Sequence, residues 1–130
     1  MTSEQEWNIQ ECVSKMGEVK LLYLFGSQAR GEQGPMSDYD FAVYLDEVSR
    51  DKMSNVQIDL INAFSKILET DKIDVLVLNK SDNSVLNYMA IAESKLLYET
   101  EPYLLIVEPR IVSEYIDYTE AMRRHGLTKA

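Results

Sequence analysis

Apolar residues recur at helical spacing near the start of the chain: Ile9, Cys12, Val13 and Met16 fall at i, i+3, i+4 and i+7. That spacing predicts an amphipathic helix ending near Gly17, with Ser3 and Glu6 as its capping box. Val19 to Phe25 is an apolar and aromatic run of strand length. From Gly26 to Ser37 three glycines and a proline predict a turn-rich connection with room for one helical turn. Asp38 to Leu45 then alternates as a strand does. Tyr39, Phe41, Val43 and Leu45 share one face, and Asp38 and Asp40 begin the other.

Helical spacing returns from Asp51 to Leu68, with Met53, Val56, Leu60, Phe64 and Ile67 on one stripe. Lys72 to Leu78 predicts a third strand, and Lys95 to Tyr98 a short fourth. Between them Ser81 is placed to cap a short helix carrying Val85, Leu86, Met89 and Ala90. A last helix is predicted from Pro102 to Arg124, kinked or split at Pro109. It bears two apolar stripes, Ile111, Tyr115, Tyr118 and Met122 on one and Leu105, Val112 and Ile116 on the other. Such stripes are expected to face the chain's own core, with a partly exposed edge.

Strands interleaved with helices predict an α/β (α+β) class, one small mixed β-sheet flanked by helices. The 130 residues, 45% of them hydrophobic, suit a single domain over 1–130 with a core of its own. A lone cysteine, Cys12, allows neither an internal disulfide nor a zinc cage, and its apolar neighbours predict buried filler. The apolar runs are too short to cross a bilayer, and the acidic N-terminal residues lack the pattern of a signal peptide. A reducing, cytoplasmic setting is therefore expected, with no membrane partner. The net charge of −9 lacks the basic footprint that nucleic acid requires, so no direct nucleic-acid partner is expected.

The stretch richest in chemistry runs Phe25-Gly26-Ser27-Gln28-Ala29-Arg30-Gly31 and then Ser37-Asp38-Tyr39-Asp40. Asp38 and Asp40 are two apart on a strand, so both carboxylates point to one side. Like charges that close repel each other, and an acidic pair entering an apolar strand calls for a cation. Mg²⁺ fits best, because it favours carboxylate oxygens together with substrate phosphates. Two such ions about 3.5–4 Å apart clamp the attacking and leaving oxygens of a phosphoryl displacement. Asp74, in the strand Ile73-Asp74-Val75-Leu76-Val77, can face the same side if the two strands are neighbours, and would be costly to bury otherwise. Gly26 permits close backbone approach, and Ser27 offers a hydroxyl and an N–H to the phosphates of a nucleoside triphosphate. Arg30 adds charge there or anchors the loop. None of these features speaks alone: Asp-x-Asp is usually a strand end or a cap, and the weight lies in the joint spacing.

Gly26-Ser27, ten residues, then Asp38-x-Asp40 resembles the signature of the nucleotidyltransferase superfamily related to DNA polymerase beta. The wider context, Leu-Phe-Gly-Ser-Gln-Ala-Arg-Gly through Ser-Asp-Tyr-Asp-Phe-Ala-Val, is similar to its minimal branch. That branch includes the antitoxins of HEPN–MNT toxin–antitoxin pairs, and the likeness spans roughly Val19 to Thr100. The resemblance implies the nucleotidyltransferase fold, with Gly26 and Ser27 on the triphosphate of ATP. It also implies Asp38 and Asp40 on two Mg²⁺ ions, and Asp74 on the catalytic ion and helping to activate the acceptor. Gln28 departs from the pattern, since many relatives carry a basic residue there.

Larger relatives add a second domain for their acceptor, whereas this sequence is nearly all catalytic core. The resemblance therefore implies a hetero-oligomer with a cognate HEPN toxin, whose tyrosine hydroxyl would receive AMP near the ribonuclease site and lose RNA cleavage through the added charge. Two other readings stand beside it. One is an antitoxin acting by contact alone; the other is an aminoglycoside-type enzyme acting on a small molecule.

Overall fold

In the computed structural model the described residues are 1–26, 38–46 and 49–126. Within them the chain forms α1 (Ser3–Ser14), β1 (Val19–Phe25), β2 (Tyr39–Leu45), α2 (Arg50–Leu68), β3 (Ile73–Val77), α3 (Ser84–Ala92), β4 (Lys95–Glu99) and α4 (Tyr103–Arg124). The sheet has the order β3-β2-β1-β4. β1 pairs antiparallel with β2 and with β4, and β2 pairs parallel with β3. The mixed sheet expected from the sequence is present. The connection expected over Gly26 to Ser37 lies outside the described residues apart from its first glycine.

Alternation along the strands sorts the helices onto two faces. Phe41 and Val43 of β2, Leu22 and Leu24 of β1, and Val75 and Val77 of β3 meet α1 and α2 in one buried cluster. Ile9 and Val13 are fully buried there, and Cys12 and Met16 pack at its margin as half-buried filler. Burial pushes the Cys12 thiol upward despite nearby Lys15, so this cysteine is a poor nucleophile. The other face buries Leu21, Tyr23 and Ala42 against Ala90 of α3 and Val107 and Ile111 of α4.

Several local expectations shift. Thr2, not Ser3, caps α1, and its box partner is Gln5. The Thr2 hydroxyl accepts from the Gln5 amide while the Gln5 side chain accepts from the Thr2 amide. α3 begins three residues after Ser81, with Asn83 as the cap, its side chain accepting from the Leu86 amide. Met89 points outward, and the inward side of α3 carries Asn87 instead. α4 runs through Pro109 as one helix. Pro109 removes one backbone donor, the one that would serve the Leu105 carbonyl, on a turn where Leu105 is 80% exposed. Buried Val107 and Ile111 on either side of Pro109 hold the helix to the sheet. The stripe of Leu105, Val112 and Ile116 does not join the core: Leu105 is 80% exposed and Ile116 51%.

Candidate active site

The parallel pairing of β2 and β3 puts Asp40 beside Asp74. Residues paired in a parallel ladder present their side chains to the same face, so the two carboxylates share the α3–α4 side of the sheet. Asp38 lies just ahead of β2 and is exposed, and Asp74 is exposed as well. The desolvation cost expected for Asp74 therefore does not arise: it sits at the open end of its strand. Asp40 is half-buried. Its carboxyl is pushed above the ordinary value by burial first, then by the charges of Asp74 and Asp38.

Gly26 closes the other side. β1 ends at Phe25, opposite Asp40 in the antiparallel register. The next residue turns with φ +74°, and a Cβ there would stand 2.7 Å from Asp40 Oδ2. Glycine is required twice over, by the left-handed backbone and by the carboxylate lying against it. Ser27 and Arg30 lie outside the described residues.

A cleft of about 550 Å³ opens at this place, with Asp40, Asp74, Phe25, Lys80, Ser81 and Leu86 in its walls. Gln57 of α2 covers the free edge of β3 there, its side-chain amide donating to the Val75 carbonyl at 2.6 Å. Lys80 reaches from the loop after β3 to α2 and donates from Nζ to Ser54 Oγ at 2.9 Å. Sequence reasoning passed over Lys80, which stands in a polar loop with no motif around it; only the fold brings it into the cleft that Asp40 and Asp74 line.

The donor set fits hard cations. Three carboxylates lie within electrostatic reach of one another, and among the described residues none has a Lys or Arg at ion-pair distance. Among the described residues no three His, Cys, Asp or Glu side chains are gathered into a closed cage. Mg²⁺ does not require one, since it keeps waters and takes substrate phosphates alongside one or two carboxylates.

A mixed sheet that presents a strand-borne carboxylate pair beside an obligatory glycine turn defines the nucleotidyltransferase class. The profile of the polymerase beta nucleotidyltransferase family matches residues 7–103, and the chain belongs to that family. Over 93 residues the chain is 32% identical to the protein adenylyltransferase MntA of Aphanizomenon flos-aquae, which covers 67% of this chain and 61% of that protein. The chain thus spans about three fifths of the length of that relative. Among solved structures the fold is similar to a chain of a toxin–antitoxin assembly with AMP-PNP, with TM-score 0.74 and 20% identity over 95% of this chain and 94% of that one. It is also similar to a chain of the tri-AMPylated HEPN toxin of Shewanella oneidensis in complex with MNT antitoxin, with TM-score 0.66 and 19% identity over 92% and 93% of the two chains.

Proposed function

We propose that the chain is an antitoxin nucleotidyltransferase that moves AMP from ATP to a tyrosine hydroxyl of a cognate HEPN ribonuclease toxin. The observation that carries this reading is the Asp40–Asp74 pair on adjacent parallel strands beside Gly26. The 32% identity to a protein adenylyltransferase supports the chemistry, and the likeness to toxin–antitoxin assemblies supports the partner. Gly26, Ser27 and Arg30 take the triphosphate. Asp38, Asp40 and Asp74 face the reacting phosphorus and the acceptor. Two Mg²⁺ ions on these carboxylates would acidify the acceptor hydroxyl and neutralise the pyrophosphate. The tyrosine oxygen attacks the α-phosphorus in line, the bond to pyrophosphate breaks, and the hydroxyl proton passes to an Asp74 carboxylate oxygen. The attached phosphate then sets negative charge where RNA phosphates must bind. Where the first AMP offers a ribose hydroxyl, the same step repeats. The reading sets the protein in the cytoplasm, in keeping with the lone Cys12.

A contact-only antitoxin is favoured by one observation: Leu105, Ile106 and Ile116 of α4 present an apolar face to solvent. Among the described residues no helix is long and apolar enough to cross a membrane, so that face is not a membrane span. The test is the intact mass of the HEPN partner after incubation with this protein, ATP and Mg²⁺. Added AMP units that vanish with EDTA support transfer. An unchanged mass with a stable complex supports contact alone.

A further inference from the structure

We infer that Lys80 is a positioning residue on the acceptor side of the cleft, where it holds the phosphodiester of an AMP already attached to the acceptor and so favours the second and later transfers. The inference rests on the transferase reading given above and adds to it which acceptor the cleft takes best.

Position comes first. The sheet order β3-β2-β1 sets out Gly26, Asp40 and Asp74 across three neighbouring strands. Lys80 follows β3 and reaches Ser54 on α2, beyond the β3 edge that no other strand covers among the described residues. Adjacent strands lie about 4.8 Å apart, so roughly 10 Å of sheet separates the glycine turn from the β3 edge. A triphosphate anchored at Gly26 puts its α-phosphorus near Asp40, and the attacking group then enters past Asp74. Lys80 lines that same cleft from beyond the C-terminal end of β3, set apart from Asp74 along the strand, where a group trailing the attacking hydroxyl can reach it.

Charge comes second. The chain carries a net charge of −9, yet this one ammonium faces the cleft with a neutral hydroxyl as its hydrogen-bond partner. No carboxylate stands at ion-pair distance from it among the described residues. A cation left uncompensated in such an acidic chain favours an incoming anion. The loop that carries it is fixed. Asn79 pairs with the Leu45 amide and carbonyl at 2.8 and 2.7 Å, and Asn87 donates to the Ser81 carbonyl at 3.1 Å. A tyrosine hydroxyl offers no anion at the first transfer. At the second, the acceptor is a ribose hydroxyl whose own phosphodiester trails behind it. That hydroxyl oxygen bonds to the α-phosphorus of a new ATP, pyrophosphate leaves with the electron pair, and the proton goes to Asp74 as before.

The test compares wild type, Lys80→Met and Lys80→Arg with ATP, Mg²⁺ and the HEPN partner, following AMP units on the partner by intact mass over time. The expected result is a first AMP added by Lys80→Met within about twofold of the wild-type rate, with later units slowed about tenfold, as for one lost charge-assisted contact. Lys80→Arg restores them. Equal mass distributions for Lys80→Met and wild type would overturn the inference. So would equal slowing of every transfer, which would put Lys80 on ATP instead. If wild type itself stops at one AMP, the inference falls alone; if wild type transfers none, the transferase reading falls first and takes it along.

Discussion

Asp40 Oδ2 occupies the space that a side chain at Gly26 would need, at 2.7 Å from an ideal Cβ. The glycine turn and the central carboxylate are therefore one piece of geometry, and either can be disturbed through the other. Gly26→Ala is expected to displace the Asp40 carboxylate and to strain a backbone held at φ +74°. The strain costs about 1–2 kcal/mol of stability. Displacement of the carboxylate is expected to cost far more in transfer, about a hundredfold in rate. Denaturation curves and initial rates on the same preparation separate the two effects.

Asp40→Asn removes a charge that burial, Asp74 and Asp38 all oppose. A carboxyl with a raised pKa in the fold destabilises the ionised protein relative to the unfolded chain, so stability falls as pH rises through its titration. The amide does not titrate. The metal-free variant is thus expected to melt at or above the wild-type temperature at pH 7 while transfer is abolished. A lower melting temperature would show that Asp40 serves the fold.

Tyr23 is buried, and its hydroxyl donates to Glu108 Oε2 at 2.6 Å, tying β1 to α4. Tyr23→Phe is expected to cost about 1–3 kcal/mol, because the acceptor loses its donor. Burial first, then Glu108, holds the proton on Tyr23 well above the ordinary tyrosine range. The unfolded chain gives up that proton near pH 10, before the folded one does, so stability falls as pH rises past about 10. Urea titrations at several pH values are expected to show that alkaline fall in wild type and a shallower one in Tyr23→Phe.

Phe64 packs against Phe41 with ring centroids 4.6 Å apart, in the core between α2 and the sheet. Phe64→Ala is expected to lose about 3–5 kcal/mol. Leu105→Ala, on the exposed face of α4, is expected to stay within about 0.5 kcal/mol. Chemical denaturation of both variants tests whether the outward stripe lies outside the core.

Much of the fold was legible because alternation and helical spacing are local. Phe41, Val43 and Leu45 on one side of β2, and Met53, Val56, Leu60 and Phe64 along α2, follow directly from period and are all buried. The parallel neighbour that brings Asp74 beside Asp40 had to be assumed, since pairing is decided between strands distant in the chain. The caps were missed by a residue or two because Thr2 and Ser3, or Ser81 and Asn83, are alike in their power to accept an amide proton. Leu105, Val112 and Ile116 looked like core because an apolar stripe carries no mark of which way it turns; Val107 and Ile111 took the inward side. Lys80 was illegible for the opposite reason. Its meaning comes from a charge in the cleft of Asp40 and Asp74 with no ion-pair partner among the described residues, and that appears only when β3, α2 and the intervening loop are assembled.

The most direct measurement follows isotope from ATP to the HEPN partner. Parallel reactions use ATP labelled at the α- or at the γ-phosphorus, with Mg²⁺, and with wild type or the Asp38→Asn/Asp40→Asn variant. The account predicts that α-label enters the partner, γ-label does not, and the double variant transfers neither. Label from the γ-phosphorus, or undiminished α-label with the double variant, would contradict it.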